Sequence, residues 1–345
     1  MEHILNYTKE ELNNLLEKNG FPVYRSKQLY QWLYTKYVDD INEMNNLPAN
    51  LRQWLINNYN CNFPKVAQEQ VSKIDGTIKF LFELADKQAI ETVLMFHGGK
   101  TTKQRKTLCI SSQVGCPIGC VFCATGKMGL KRNLSVGEII GQILVVSKIH
   151  GKIDNIVYMG MGEPLLNYEH VLKSIKIITD EMGLNFSSRK ITVSTCGLVP
   201  EIKKLSEEKI PLTLAVSLHG ANNELRNTLV PINKKYPLED LLAAVKYFIN
   251  KTNRKVTFEY ILAKDINDGI VHAKELSVLL KGLLCNVNII PVNPVSGTAI
   301  NRPSAKVMAN FVQVLQSKGI ETVVRSEKGA DIDAACGQLV RAIDS

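Results

Sequence analysis

The 345-residue chain reads as an α/β protein: a partial (β/α)6 barrel with a small N-terminal helical accessory domain and a short β extension. Three observations lead there. From Leu108 onward a strand-then-helix rhythm repeats six times, and parallel strands joined by helices wind into a sheet or barrel. Six units fall short of a closed eightfold barrel, so an open one is expected, with a lateral mouth suited to a large substrate. Ahead of it, residues 1–62 carry helical periodicity, and 63–106 carry alternation. The expected division is therefore 1–62 helical domain, 63–106 β extension and loop, 107–325 barrel core and 326–345 C-terminal tail.

The elements follow in order. Thr8-Lys-Glu-Glu11 fits a capping box, with Leu12, Leu15 and Leu16 behind it at helical spacing. SKQLYQWLYTK places Leu29, Trp32 and Leu33 on one face, and PANLRQWLINNY predicts a third helix. The aromatics interleaved with Arg25, Lys27 and Lys36 have two readings, a bundle core or a nucleic-acid surface. TIKFLFEL alternates Ile78, Phe80, Phe82 and Leu84 after an Asp75-Gly76 turn, and Glu91-Thr-Val-Leu-Met95 predicts the next strand. HGGKTTKQRK at 97–106 reads as a basic loop.

In the core, LCISS leads through a cysteine-rich loop to the helix SVGEIIGQILVVSKI. DNIVYM precedes a helix from Tyr168 to about Thr179; KITVST precedes LVPEIKKLSEEK; LTLAVSL precedes PLEDLLAAVKYFINKT. KVTFEYIL and IVHAKELSVLLKGL follow, then NVNIIPV and SAKVMANFVQVLQSKG. The glycine-rich and polar features fall just after these strands: the cysteine loop, GMGEP (160–164), STCG (194–197), SLHG (217–220) and Asn293-Pro294. Active sites of β/α folds lie at the C-terminal strand ends, so these five elements are expected to converge.

Composition narrows the class. Hydrophobic residues at 45% and charged residues at 22% are ordinary for a globular protein. No segment approaches the ~18 apolar residues of a membrane span, and MEHILNYTKEEL lacks a signal peptide's basic flank and apolar run. A cytoplasmic location without membrane attachment is expected. In that compartment eight cysteines favour metal binding or catalysis over a disulfide framework. A formal net charge of +9 favours a polyanionic partner.

The stretch VGCPIGCVFCATG spaces Cys116, Cys120 and Cys123 as C-x3-C-x2-C. Zinc in structural sites takes four protein ligands, and no further Cys or His pair lies beside these three. A disulfide would leave one cysteine over. An iron–sulfur cluster held by three thiolates keeps one iron open, and departure from the usual four suggests chemistry at that iron.

That spacing after the first strand of a β/α core resembles the radical S-adenosylmethionine (SAM) enzymes. There a [4Fe-4S] cluster binds SAM and cleaves it reductively to a 5′-deoxyadenosyl radical. TLCISSQVGC, GMGEPLLNY, SLHG, LVPIN and DIDAACGQL resemble, across nearly the whole chain, the subfamily that methylates adenine in large-subunit ribosomal RNA. GMGEP followed by Leu165-Leu166-Asn167 is more similar to its C2-specific branch than to the C8-specific, antibiotic-resistance branch. A non-catalytic iron–sulfur RNA-binding protein and a zinc module are the alternatives from other classes.

The resemblance implies a mechanism. Adenine C2 is electron-poor and cannot attack a sulfonium methyl as a nucleophile, so a radical route replaces polar transfer. Cys336 first accepts a methyl group from one SAM; a second SAM supplies the radical that activates it. The methylene-bridged adduct is resolved by Cys109 with a transient disulfide, and Glu91 takes the ring proton. Cofactor contacts carry over to Gly162, Glu163, Ser194, Ser217, Leu218, His219 and Asn293. The implied partners are 23S rRNA, transfer RNA and an electron donor such as flavodoxin or ferredoxin. Read without the resemblance, Cys109 is a small apolar residue of a strand, Glu91 a solvent-facing acid and His219 a satisfied polar group. Cys61, Cys196 and Cys285 read as core or incidental. The basic residues of KTTKQRK and KMGLKRN (127–133) border the expected site mouth, as phosphate contacts or as solvated charge.

Overall fold

The computed structural model describes residues 1–98, 105–293, 295 and 300–339. Helices α1 (Lys9–Lys18), α2 (Tyr24–Tyr30) and α3 (Ala49–Asn58) form the N-terminal bundle, α2 running on into a π-type turn, Gln31–Thr35. The capping box is present: Glu11 N donates to Thr8 Oγ1 at 3.2 Å, and Thr8 N donates to the Glu11 carboxylate at 2.8 Å. Leu12, Leu16, Leu29, Leu33, Leu51 and Leu55 are buried, as are Tyr30, Trp32 and Tyr34. Most of the bundle's aromatics are therefore core; Tyr24 stays exposed, with the Arg25 guanidinium 4.6 Å from its ring centre.

Strands β1 (Lys65–Val71), β2 (Ile78–Glu83) and β3 (Ala89–His97) form an antiparallel meander. Its last strand pairs antiparallel with β4 (Arg105–Cys109), the first strand of the core, so the extension and the core share one sheet. The alternation in TIKFLFEL predicts one buried face, but β2 is buried on both, Lys79 and Leu81 included. The second face is covered by the C-terminal tail, where Lys79 Nζ donates to Asp333 O at 3.4 Å.

After β4 the chain makes a short hairpin, β5 (Gln113–Cys116) with β6 (Gly129–Asn133), that the sequence does not announce. LCISS therefore ends as a strand at Cys109. The parallel strands continue as β7 (Asn155–Tyr158), β8 (Ile191–Thr195), β9 (Thr213–Ser217), β10 (Val256–Leu262) and β11 (Cys285–Pro291). A further parallel edge strand, β12 (Thr322–Val324), is too short to show a period. Among the described residues the sheet has ten strands in the order β12-β11-β10-β9-β8-β7-β4-β3-β2-β1, and its two edges do not pair, so it is open. Helices α4 (Val136–His150), α5 (Tyr168–Thr179), α6 (Val199–Glu207), α7 (Asn223–Leu229), α8 (Leu238–Thr252), α9 (Ile270–Leu279) and α10 (Ala305–Ser317) connect the strands. Between β7 and β11 the parallel pairs follow chain order, the arrangement expected when each helix crosses back over the sheet.

The tail folds back over this sheet. Near its start the Asp331 carboxylate accepts from Ser72 Oγ (2.6 Å) and Lys73 N (2.9 Å), and Gly329 N donates to Asp75 Oδ2 (3.1 Å). Further along, Thr125 Oγ1 donates to Leu339 O at 2.6 Å. Cys336 lies between these anchors. Among the described residues no helix is long and apolar enough to cross a membrane.

Candidate active site

Two adjoining cavities open at the C-terminal ends of the parallel strands. The smaller, about 130 Å³, is walled by Cys116, Cys120 and Cys123, by Gly162, Glu163, Ser194 and Cys196, and by Ser217 and His219. The larger, about 340 Å³ and mainly apolar, is walled by Val93, Met95, Cys109, Val157, Asn293 and Ala335 among others. Cys336, Arg325, Met159 and Gly160 belong to both walls. Convergence of the strand ends is thus observed for four of the five elements in the smaller cavity; Asn293 lies in the larger, and Pro294 is outside the described residues.

The cysteine loop is held by its neighbours. Cys116 ends β5, and Cys123 precedes a single helical turn, Ala124–Lys127. Val121 N donates to Leu229 O at 3.2 Å, docking the loop on α7. The Phe122 ring stands edge-on to His219, centres 4.7 Å apart. Burial pushes the Cys116 and Cys123 thiols up, so both are neutral at physiological pH. Among the described residues no three His, Cys, Asp or Glu side chains converge as they would on a single metal ion. The three thiols face one cavity, a soft donor set of the kind that holds iron–sulfur clusters and zinc alike.

The turn GMGEP needs its glycines. A Cβ at Gly160 would lie 2.7 Å from Ile110 O; at Gly162, where φ is +105°, it would lie 2.6 Å from Gln113 Cβ. Glu163 is buried, which raises its carboxyl pKa, while donors from Cys196 N (2.7 Å) and Leu165 N (3.0 Å) oppose the rise. His219 Nδ1 accepts from Ile261 N at 3.0 Å, which leaves the proton on Nε2. Burial, with a smaller contribution from the Arg226 charge, lowers its pKa to about 3, so the ring is neutral. A backbone φ of +58° at His219 aims this ring across the strand end.

The other expected residues sort differently. Leu218, expected as a cofactor contact, is buried away from both cavity walls, its carbonyl accepting from Arg226 Nε and its N–H donating to Glu259 O, so neither group faces the site. Asn293 Nδ2 donates to Cys336 O at 2.9 Å, and its buried Oδ1 has no partner among the described residues, leaving an acceptor. Cys109 and Cys336 face the same cavity. Burial, then the nearby Cys336, push the Cys109 thiol up to about 12. Glu91 is buried, not solvent-facing, and lies 3.1 Å from Lys79 Nζ. It is not on either cavity wall, but shares the face of β3 that carries Val93 and Met95, two residues further along.

Two residues escaped the sequence reading. Cys196 Sγ lies 4.0 Å from Cys120 Sγ, so Cys196 is a wall residue and not incidental; its place in STCG, directly after the strand-end serine, was the available signal. Arg226 is fully buried behind the same wall, and nothing in NNELRNTL separates it from a solvated helix arginine. The basic loops also resolve. Residues 99–104 of HGGKTTKQRK lie outside the described residues, while Lys106 N donates to Asp154 Oδ2 at the N-terminal end of β4, away from the strand ends that carry the site. Arg132 of KMGLKRN is engaged by Asp86 and Glu138 at 2.7–2.8 Å.

Comparison with known proteins agrees with this geometry. Residues 110–276 match the family model described as the radical SAM superfamily. Residues 3–60 match the ribosomal RNA large subunit methyltransferase N-terminal domain. The chain is 46% identical over 342 residues, 99% of its length and 98% of the relative's, to a "Probable dual-specificity RNA methyltransferase RlmN" of Clostridium novyi. It is 47% identical over 343 residues, 98% and 97% of the two chains, to a protein of the same name from Dictyoglomus turgidum. The crystal structure of a radical SAM methyltransferase from Sphaerobacter thermophilus superposes with a TM-score of 0.93 at 44% identity, covering 98% of this chain and 99% of that one.

Proposed function

Since this chain belongs to the RlmN family of radical SAM RNA methyltransferases, we propose that it methylates C2 of an adenine in 23S rRNA and, by the same chemistry, in certain transfer RNAs. The observation that carries this reading is the position of Cys336, on the wall shared by a cavity with three cysteines and a cavity with Cys109. A thiol there can accept a group from one side and present it to the other.

In this reading Cys116, Cys120 and Cys123 hold a [4Fe-4S] cluster that, when loaded, supplies one electron for reductive cleavage of SAM. Gly162, Glu163, Ser194, Ser217 and the neutral His219 receive the SAM zwitterion and ribose. The Asn293 amide fixes the Cys336 carbonyl and keeps an acceptor for substrate. Cys336 would take one methyl group by polar displacement, releasing S-adenosylhomocysteine, and would present that S-methyl group to adenine C2 for the radical chemistry that a second SAM at the cluster would supply. Once the adduct radical has given up its electron, Glu91, held by Lys79, would accept the ring proton; the Cys109 thiolate would then attack the Cys336 sulfur, breaking its bond to the methylene carbon, which takes up a proton as the new methyl group and leaves a Cys109–Cys336 disulfide. The larger, mainly apolar cavity suits a flipped base better than a charged group. The N-terminal bundle, 1–62, adds an RNA-contacting surface, and a flavodoxin- or ferredoxin-type donor in the cytoplasm supplies electrons.

The test is anaerobic reconstitution with methyl-labelled SAM and adenine-containing RNA. Label is expected on the Cys336 peptide and then in 2-methyladenosine. Cys109→Ala is expected to accumulate RNA covalently attached to protein, and Cys336→Ala to lose methylation while keeping the cluster chromophore. Label in 8-methyladenosine would replace the C2 reading with the C8 one; an unlabelled Cys336 in an active enzyme would remove the carrier.

A further inference from the structure

Behind the cysteine wall sits a buried charge that this chemistry leaves unused. Arg226, on α7, is fully buried, and each of its recorded hydrogen bonds ends on a neutral oxygen. Nε donates to Leu218 O (2.9 Å), Nη1 to Asn233 Oδ1 (2.7 Å), and Nη2 to Cys196 O (2.6 Å) and Ser217 O (3.2 Å). Among the described residues no carboxylate pairs with it. Buried charges are ordinarily paired, because an uncompensated one carries a large desolvation cost. Burial lowers its pKa to about 10, which still leaves it cationic at neutral pH.

Its position suggests where the compensation lies. Cys196 joins the guanidinium to the thiols: its carbonyl accepts from Nη2, and its Sγ lies 4.0 Å from Cys120 Sγ. The same helix takes the cysteine loop through Val121 N and Leu229 O. The surroundings are shaped around the side chain, since a Cβ at Gly197 would lie 3.2 Å from Nη2 and one at Gly220 would lie 3.0 Å from Arg226 Cβ. A strut between two strand ends and the turn after α7 could be neutral; a charge here needs a reason. A cluster core held by three thiolates is net anionic, and reduction adds a further negative charge. A fixed cation in a dry site favours that reduced state, because the low dielectric leaves the attraction unscreened.

We infer that Arg226 is the buried counter-cation of the cluster site at Cys116, Cys120 and Cys123, raising its midpoint potential so that an electron enters more readily. The inference rests on the cluster reading above and makes Arg226 a positioning residue acting through charge. It is tested by EPR-monitored redox titration of anaerobically reconstituted protein without SAM, comparing wild type with Arg226→Gln, Arg226→Lys and Asn233→Asp. The last keeps the arginine but sets a carboxylate at the oxygen 2.7 Å from Nη1, cancelling the charge in place. In Arg226→Gln and Asn233→Asp the reduced-to-oxidised ratio at a fixed potential should fall at least tenfold, about 59 mV for a one-electron couple. Arg226→Lys should stay within about threefold of wild type, a shift under that same constant. Asn233→Asp or Arg226→Gln carrying a full cluster at the wild-type midpoint would overturn the inference. So would equal loss of the cluster from all three variants, which would make Arg226 a structural strut. Wild-type protein that takes up no iron–sulfide chromophore would instead sink the cluster reading, and this inference with it.

Discussion

The backbone N–H of Ala124, one residue after Cys123, donates to the carbonyl of Gly337, one residue after Cys336, at 2.8 Å. Two segments more than two hundred positions apart are thereby locked side by side at the wall between the cavities. Gly337 has a φ of +86°, and a Cβ there would lie 3.0 Å from Phe122 O, so the tail passes close against the cysteine loop. Whatever loosens this join should separate Cys336 from the cavity walled by Cys116, Cys120 and Cys123.

Thr125→Val tests the join directly. It deletes the 2.6 Å bond from Thr125 Oγ1 to Leu339 O with little change in shape, and an unsatisfied buried carbonyl costs about 1–3 kcal/mol. The expected outcome is earlier proteolytic cleavage within 326–339 and slower methylation of Cys336, with unchanged iron content. Equal protease resistance in the two proteins would show that the tail is held elsewhere.

Lys79 and Glu91 form a buried pair, 10% and 4% exposed at their side chains, so removing one charge should be costly. Lys79→Met takes away the cation facing Glu91 and is expected to destabilise by about 3–5 kcal/mol in denaturant unfolding. Adding Glu91→Gln should recover part of that loss. Strictly additive single and double variants would mean that the two side chains do not interact energetically.

In the proposed reaction, the pH dependence of adduct release should report Cys109. Burial holds its thiol neutral to about 12, above the ordinary value near 8.5, so the thiolate population grows with pH throughout the working range. Single-turnover release is expected to rise roughly tenfold per pH unit from about pH 7 to 9, without a plateau. A plateau in that interval would assign release to another group. By linkage, this raised pKa contributes stability below about 8.5 that is lost as pH rises toward 12.

His219 gives the opposite sign. Its folded pKa of about 3 lies below the unfolded value near 6.5, so the unfolded chain binds a proton that the native state refuses. Stability is therefore full above about 6.5 and declines as pH falls toward 3. The thermal midpoint of His219→Gln should fall less between pH 7 and 5 than that of wild type; parallel profiles would contradict a buried neutral ring.

The sequence by itself determined the principal helices, the six repeated core strands and the chemistry-bearing stations, but not the β5–β6 hairpin or the edge strand β12. Periodicity placed α1 and α4, and a capping box marked the start of α1, because a Thr followed three residues later by Glu satisfies a helix N-terminus locally. The Cys116, Cys120 and Cys123 spacing and the strand-end positions of Gly162, Ser194 and Ser217 were legible because they too depend on neighbours in the chain. Three-dimensional packing decided what depends on distant partners. It set the fate of TIKFLFEL, whose outer face is covered by a tail some 250 residues later. It turned Cys196 and Arg226 into parts of the wall, and brought Asn293 to the Cys336 carbonyl instead of the smaller cavity. Burial is a property of the assembled fold, and a side chain acquires its charge state and its partner only when elements remote in sequence close around it.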